Sequence, residues 1–208
     1  GLGFFSVLAK PGADWALPER YRFKKIIGTG SYGSVCEATD RHAASSASVA
    51  IKRIPNLFED IRDGKRILRE LAILGSLERM GRRAGSRIVR LLDVLVPRDL
   101  AQFQELYLVM EHCGQDLRVL ARRQRTFLSE LDVQGLLRDL FLGLGELHAA
   151  GIFHRDLKPA NCLVRPRPAA EAGSEGGVSE GPRWELFICD FGHARAVGKD
   201  RRVSSLGG

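Results

Sequence analysis

Five short motifs follow one another in a fixed order along this chain of 208 residues, and their order constrains the fold more than any single motif does. They are a glycine-rich run at 28–35, a lysine at 52, a glutamate at 70, the segment His-Arg-Asp-Leu-Lys-Pro-Ala-Asn at 154–161 and Asp-Phe-Gly at 190–192. Each of them is common when taken alone. Together, each on the type of element that it requires, they indicate one architecture rather than five accidental matches.

The glycine-rich run, Gly28-Thr-Gly30-Ser-Tyr-Gly33-Ser-Val35, lies between two predicted strands. Glycines at these places let backbone amides approach a phosphate closely. The same pattern followed by a helix would indicate a dinucleotide-dependent oxidoreductase, but a strand follows here, which disfavours that alternative. Lys52 comes 19 residues after Gly33 on a third predicted strand, where its ammonium group would meet phosphate oxygens.

Glu70 lies 18 residues after Lys52 on the first long predicted helix. A carboxylate there is the natural ion-pair partner of the lysine ammonium. A solvated surface glutamate is the alternative interpretation.

Hydrophobic periodicity predicts three antiparallel strands within 21–54, a helix over 59–80, two further strands at 89–96 and 106–111, and a second helix over 129–149 with Ser129 as its N-cap. The first helix repeats apolar residues at helical spacing, at Ile61, Ile67, Leu68, Leu71, Leu74 and Leu77. The predicted inner face of the second helix is Leu136, Leu137, Leu140, Phe141, Leu144 and Leu147. A segment of about 165–184, rich in small and polar residues, predicts a disordered surface insertion.

Composition excludes several classes of protein. The four cysteines are far apart, so neither a zinc site nor a disulfide framework is indicated. The net charge of +7 comes from arginine-rich stretches without interleaved aromatic residues, so no nucleic-acid partner is expected. No apolar run reaches the roughly 18 residues of a membrane helix, so we expect no membrane partner and a cytoplasmic protein.

The five motifs resemble those of eukaryotic protein kinases, over roughly residues 21–195. Within that family the chain resembles the mitogen-activated protein kinases, in the stretches Trp15–Tyr21, Ser34–Asp40, Leu106–Glu111 and Gly114–Leu117. With Lys158 two residues after Asp156, the chain resembles the serine/threonine class of protein kinases. Activated kinases of this type can move to the nucleus.

The resemblance implies an α+β fold with two lobes. After an N-terminal extension at 1–20, a β-rich N-lobe with one long helix would occupy 21–113, and an incomplete helical C-lobe 114–208. Leu74, His154 and Phe191 would belong to an internal stack that aligns the lobes, which makes His154 structural.

The resemblance also implies the role of each site residue. Asp156 would orient the substrate hydroxyl and accept its proton, Lys52 (paired with Glu70) and Lys158 would meet phosphate oxygens of ATP, and Asn161 and Asp190 would hold magnesium. The expected partners are protein substrates and an upstream activating kinase.

By the same resemblance the glycine-rich run would cover the phosphates, with Gly28, Thr29, Gly30, Ser31, Tyr32 and Gly33. Adenine would lie between Val35 and Ala50 on one side and Leu163 on the other. Backbone groups from Glu111 to Cys113 would read its edge, with Met110 as gatekeeper.

The chain departs from the family pattern at several places. His193 stands where leucine is usual, and Gly135, Gly143 and Gly145 are expected to loosen the second helix. Only 16 residues follow Gly192, without the Ala-Pro-Glu motif, so the sequence is interpreted as a fragment of a kinase; a non-catalytic nucleotide-binding or scaffold module is the alternative.

Three arginines and one cysteine allow two interpretations each. Arg66, Arg69 and Arg155 would form a cationic pocket for a phosphorylated activation segment, or would be solvated. Cys189 would be a reactive thiol or, as we favour, a buried small hydrophobic residue.

Overall fold

The computed structural model describes residues 5–7, 15–30, 33–43, 47–81, 85–96, 104–123, 128–167 and 182–197. The chain forms two compact units, one from residues 1–68 and 90–112 and the other from residues 69–89 and 113–208. The predicted N-lobe ended at 113, whereas the second half of the first helix and the segment before residue 90 belong to the second unit. Among the helices in these ranges, none is both long enough and apolar enough to span a membrane.

The first unit is built on a six-stranded sheet. Its strands are β1 (Phe5–Val7), β2 (Tyr21–Gly30), β3 (Gly33–Asp40), β4 (Ser48–Ile54), β5 (Leu91–Val96) and β6 (Leu106–Glu111). They lie in the order β1-β5-β6-β4-β3-β2, and all neighbours are antiparallel except β1 and β5. The five predicted strands are therefore confirmed, and the parallel edge strand β1 has no counterpart in the sequence prediction.

One face of this sheet carries the core of the first unit. Side chains alternate between the two faces of a strand, and directly paired residues share a face. The core cluster consists of Tyr21, Cys36, Ala38, Val49, Ile51, Leu95, Tyr107 and Val109. The alternate residues of β3 and β4 therefore point to the opposite face.

The first helix, α1, covers Ile61–Arg79, close to the predicted 59–80. Its buried positions are Ile67, Glu70, Ile73, Leu74 and Leu77, which repeat at helical spacing. Ile61 and Leu68 belonged to the predicted apolar stripe, but they are exposed. The inner face of α1 is thus rotated slightly from the prediction and includes a glutamate.

The second unit combines helices with small sheets. Its elements are β7 (Gln115–Asp116), α2 (Leu117–Arg123), α3 (Glu130–Ala149), β8 (Ile152–Phe153), a short 3-10 helix (Pro159–Asn161), β9 (Cys162–Pro166), β10 (Trp184–Ile188) and β11 (Arg195–Ala196). Strands β10, β9 and β7 form one sheet, and β11 pairs with β8.

Helix α3 begins at the predicted cap. The Ser129 hydroxyl accepts a hydrogen bond from the Asp132 amide at 3.1 Å, and the Asp132 carboxylate accepts one from the Ser129 amide at 3.1 Å. This reciprocal arrangement is a capping box, which satisfies amides that the first turn of a helix leaves unpaired. The prediction of Ser129 as N-cap is confirmed.

The predicted inner face of α3 is partly wrong. Leu137 and Phe141 are 48% and 67% exposed. The buried residues of the helix are Asp132, Gly135, Leu136, Asp139, Gly143 and Leu147. Small and acidic residues therefore pack against the β9–β10 hairpin, because the helix backbone approaches the hairpin closely there.

Two of the glycines that were expected to loosen α3, Gly135 and Gly143, lie at this closely packed face, and whether they loosen the helix stays a prediction. A Cβ at Gly143 would lie 2.9 Å from the Arg87 carbonyl oxygen and 2.9 Å from Cδ1 of Ile188. A Cβ at Gly135 would overlap the Pro182 ring. At both positions the helix backbone lies against a neighbouring segment of the chain, and only a residue without a side chain allows so close an approach.

The predicted disordered insertion at about 165–184 is wrong at both ends. Arg165 and Pro166 lie in β9, Trp184 begins β10, and the Arg167 amide donates to the Arg183 carbonyl at 2.8 Å. Arg183 also bonds the Asp132 carboxylate through its guanidinium and its backbone amide. The two ends form the stem of a hairpin, and residues 168–181 lie outside the described residues.

Candidate active site

Asp156 lies in the loop between β8 and the short 3-10 helix, where two donors meet one of its carboxylate oxygens. Lys158 Nζ donates to Oδ2 at 2.7 Å, and Asn161 Nδ2 donates to Oδ2 at 3.0 Å and to the Asp156 carbonyl at 2.8 Å. Oδ1 accepts no hydrogen bond from any described residue. The side chain of Asp156 is 27% exposed, so the carboxylate is not sealed from solvent.

The same neighbours fix the charge of Asp156. The hydrogen bond from Lys158 has the largest effect and lowers the pKa of the Asp156 carboxyl. Burial opposes it, and the charge of Lys158, the hydrogen bond from Asn161 and the charge of His193 lower the pKa further. The group is therefore a carboxylate at neutral pH. A carboxylate with one unoccupied oxygen is able to accept a proton.

His154 connects the loop of Asp156 to the Asp-Phe-Gly turn. Its Nε2 lies 2.9 Å from the Cys189 carbonyl oxygen, and its Nδ1 accepts from the Asp156 amide at 3.3 Å. A carbonyl only accepts, so Nε2 carries the proton and Nδ1 does not. The ring is buried and packs edge-on against Phe191, with 5.2 Å between ring centroids, which supports the structural role expected of His154.

Asn161 and Asp190 present oxygen atoms that are suited to a hard cation. The amide nitrogen of Asn161 is engaged by Asp156, which leaves its amide oxygen without a donor in the described part of the chain. The Asp190 carboxylate receives only one long contact there, 3.4 Å from the Gly192 amide to Oδ1. Amide and carboxylate oxygens are ligands that Mg²⁺ prefers, so the two residues fit that ion.

The two candidate ligands are also held at a fixed spacing through the backbone. The Cys189 amide donates to the Asn161 carbonyl at 3.0 Å. The described residues contain no cluster of three or more His, Cys, Asp or Glu side chains that would enclose a metal. A site with two protein ligands suits Mg²⁺, which usually keeps waters or substrate phosphates in its remaining positions.

The glycine-rich run forms the turn between β2 and β3. Thr29 pairs with Ser34, and Gly30 with Gly33. Gly33 has φ = 129°, and a Cβ there would overlap the Arg53 carbonyl oxygen, so the position requires glycine. Ser31 and Tyr32, predicted to contact phosphates, lie outside the described residues.

Four predicted nucleotide-binding residues share one face of the sheet. Val35 is paired with Lys52, and Ala50 with Met110. Because Ala50 and Lys52 are two residues apart on β4, all four side chains point away from the core of the first unit. Val35, Ala50, Lys52 and Met110 thus share this face, next to Gly28, whose added Cβ would contact Cβ of Val35 at 3.9 Å, and their roles in nucleotide binding stay predictions.

The other predicted residues are placed as follows. Glu111 ends β6, and its amide donates to the Arg90 carbonyl at 2.9 Å. Cys113 and Glu70 are buried, and Leu163 lies in β9. The pairing of Lys52 with Glu70, and that of Leu163 with Val35 and Ala50, each joins residues of different units and stays a prediction.

Sequence reasoning named Arg69 and His193 but did not predict their contacts with the catalytic motifs. Arg69 Nη1 donates to the Gly192 carbonyl at 2.6 Å, so this arginine supports the Asp-Phe-Gly turn, and the cationic pocket stays a prediction. Arg66 lies 3.4 Å from Asp63. His193 Nδ1 lies 3.8 Å from Asp156 Oδ2. In the sequence, His193 was distinguished only by its departure from the family pattern.

Cys189 precedes Asp190 and has no sign of thiolate character. Burial raises the pKa of its thiol well above the ordinary value, and the negative charges of Asp190 and Glu70 raise it further. A thiol that stays protonated is a poor nucleophile. The raised pKa disfavours the interpretation of Cys189 as a reactive thiol, although the residue is only half-buried and not buried as expected.

Comparison with known proteins identifies the family that the chain is similar to. The family model described as protein kinase domain matches residues 21–208. The chain is 38% identical over 182 residues to "Mitogen-activated protein kinase 12" of Danio rerio, which covers 87% of this chain and 43% of that relative. It is 37% identical over 181 residues to "Mitogen-activated protein kinase 16" of Arabidopsis thaliana, covering 87% of this chain and 28% of the relative. The chain thus spans less than half the length of these curated relatives.

Proposed function

Because the chain belongs to the protein kinase family, we propose that the protein transfers the γ-phosphate of ATP to serine or threonine hydroxyls of protein substrates. The observation that carries the proposal is the arrangement at Asp156. Lys158 and Asn161 both occupy Oδ2, and Oδ1 accepts no hydrogen bond among the described residues. That oxygen is available to a substrate hydroxyl.

In the proposed reaction the hydroxyl oxygen attacks the γ-phosphorus while its bond to the bridging oxygen of ADP breaks. The hydroxyl proton passes to Asp156, whose lowered pKa keeps it ionised before the reaction. The phosphorylated residue and ADP leave, and Asp156 returns the proton to solvent. Protein kinases gain most of their rate from alignment and charge neutralisation, so a fixed carboxylate orients the hydroxyl as well as accepting its proton.

Lys158 supports the assignment to the serine/threonine class. Its ammonium group lies 2.7 Å from Asp156 Oδ2, and its side chain is 51% exposed. The ammonium therefore stands beside the position where the γ-phosphate would meet the hydroxyl. A lysine cation there neutralises charge on the transferring group.

The glycine-rich turn and the face of the six-stranded sheet opposite the core cluster would hold ATP. Val35 and Ala50 offer an apolar surface to adenine, and Lys52 on the same face offers a cation to the phosphates. Mg²⁺, held by Asn161 and Asp190, would neutralise phosphate charge when bound. The similarity to mitogen-activated protein kinases supports proteins of a signalling cascade as substrates and an upstream kinase as activator.

The proposal is tested with the full-length protein, a generic basic protein as acceptor and radiolabelled ATP. Asp156→Asn keeps the shape of the side chain but removes its charge, and we expect transfer to fall at least about a hundredfold, in line with loss of a general base. Asp63→Asn, which changes a partly exposed carboxylate paired with Arg66, serves as the matched control and should transfer at the unmodified rate. Transfer that survives in Asp156→Asn would remove Asp156 from the chemistry.

A further inference from the structure

His193 is the residue of this site that the family pattern does not explain. It directly follows the Asp-Phe-Gly motif, where the resemblance implies leucine. Its Nδ1 atom is shielded from solvent and forms no hydrogen bond with any described residue. A polar nitrogen that is shielded from solvent without a hydrogen bond costs free energy of folding. The groups around it therefore indicate its role.

The nearest charged group to this nitrogen is the carboxylate of Asp156. The distance from Nδ1 to Asp156 Oδ2 is 3.8 Å, which is too long for a hydrogen bond but within the range of electrostatic attraction between a polar N–H and a carboxylate. A carboxylate only accepts hydrogen bonds, so the approach is favourable when Nδ1 carries a proton. The side chain is 43% exposed, so the ring reaches solvent while Nδ1 stays shielded.

Three nitrogen groups therefore surround the same oxygen. Lys158 Nζ and Asn161 Nδ2 lie at 2.7 and 3.0 Å from Oδ2, and His193 Nδ1 is the third. None of them contacts Oδ1. A carboxylate held by one oxygen from several directions loses freedom to rotate, which fixes the direction in which the other oxygen points.

We propose that His193 is a positioning residue for Asp156, which attracts Oδ2 electrostatically through its Nδ1–H so that Oδ1 stays directed at the substrate hydroxyl. The inference rests on the proposed function, because it assigns Oδ1 to that hydroxyl. Leucine at this position provides no donor. In this chain the residue after the Asp-Phe-Gly motif thus contributes to alignment of the base.

The test uses three substitutions that differ in where they place a donor. His193→Asn puts an amide nitrogen near the position of Nδ1, His193→Gln puts one near Nε2, and His193→Leu provides none. We expect kcat to fall about three- to tenfold in His193→Leu and His193→Gln with the KM for ATP unchanged, since alignment acts in the transition state. His193→Asn should keep kcat within about twofold of the unmodified protein.

Two results would overturn the inference. One is a kcat for His193→Leu equal to that of the unmodified protein. The other is an equal loss in His193→Asn and His193→Leu, which would show that the imidazole matters only for packing.

A second measurement does not depend on activity, so it separates this inference from the proposed function. Urea unfolding of His193→Leu, Asp156→Asn and the double variant forms a double-mutant cycle. We expect the midpoint shift of the double variant to be smaller than the summed shifts of the two single variants. Additive shifts would show that the residues are not coupled. Coupling together with unchanged transfer in Asp156→Asn would contradict the proposed function and keep the contact.

Discussion

Asp139 in the middle of α3 accepts a hydrogen bond at 3.1 Å from the backbone amide of Leu186, 47 residues further along the chain. The Asp139 side chain is also an ion-pair partner of Arg87 at 3.0 Å and of Arg167 at 3.2 Å. It is almost completely buried. The Asp139 carboxylate thus binds a backbone amide of β10 and two arginine side chains, which explains why an acidic residue lies on the inner face of α3.

The first prediction concerns this carboxylate. Asp139→Asn removes the charge that Arg87 and Arg167 face in the interior, and breaking a buried pair from one side is strongly destabilising. We expect the free energy of unfolding to fall by about 3–5 kcal/mol, measured by urea denaturation. Asp63→Asn breaks a pair whose side chains are each more than a third exposed, and it should change this free energy by less than about 1 kcal/mol. Equal effects of both substitutions would contradict the buried network.

The second prediction compares two glycines of the same helix. Gly143→Ala would push a methyl group against the Arg87 carbonyl and Ile188, and we expect a loss of about 1–3 kcal/mol of unfolding free energy. A Cβ at Gly145 would meet nothing within 4 Å. Gly145→Ala should therefore stabilise the chain by up to about 1 kcal/mol through helix propensity. Thermal unfolding of both variants decides the matter, and a stabilising Gly143→Ala would rule out the close approach.

The third prediction uses the glycine-rich turn in the same way. Gly33 has a φ of 129° and no space for a Cβ, so Gly33→Ala should cost at least about 1–3 kcal/mol. At Gly30 a Cβ would meet nothing within 4 Å, so Gly30→Ala should change the free energy of unfolding by about 0.5 kcal/mol at most. Differential scanning calorimetry of the two variants compares them directly. Similar melting temperatures would show that the backbone at Gly33 is not restricted as described.

The fourth prediction is a dependence of stability on pH. Hydrogen bonds from Ser48 Oγ at 2.6 Å and Lys24 Nζ at 3.0 Å lower the pKa of Glu37 from 4.5 to about 2. Because the pKa is lower in the folded chain, the ionised group stabilises the fold fully above about pH 4.5, and this contribution is lost as the pH falls towards 2.

Glu37→Gln should therefore be less stable than the unmodified chain at pH 6, and the difference should shrink as the pH falls below 4.5. Urea midpoints measured between pH 6 and pH 3 test this. Glu19 is an exposed glutamate, and Glu19→Gln is the control, for which we expect no such convergence. A constant difference between Glu37→Gln and the unmodified chain across this range would refute the prediction.

The sequence was sufficient to predict the strands and the residues around Asp156. Glycines at 28–33 and the apolar, β-rich run at 48–54 predict β3 and β4, and the short spacing from Asp156 to Asn161 keeps Asp156, Lys158 and Asn161 close together. These features depend on neighbours within a few residues or on adjacent strands. Local pattern is enough to specify them.

The inner face of α3 could not be predicted in the same way. Leucines lie on several sides of this helix, and periodicity alone favours the side of Leu137 and Phe141. The buried side is decided by partners far along the chain, since Arg183 and Leu186 bond Asp132 and Asp139. No local sequence pattern indicates that Asp132 and Asp139 are paired on the buried side of α3. The contacts of Arg69 and His193 were missed for the same reason.

His154 bonds the loop of Asp156 through one nitrogen and the Cys189 carbonyl through the other. Cys189 and Asp190 are adjacent, so a single aromatic ring connects the strand end that carries one carboxylate to the backbone that carries the other. The backbone at Cys189, next to Asp190, and the backbone at Asp156 are therefore both anchored to the same buried imidazole ring, so a substitution that removes the ring removes one hydrogen bond from each carboxylate-bearing segment.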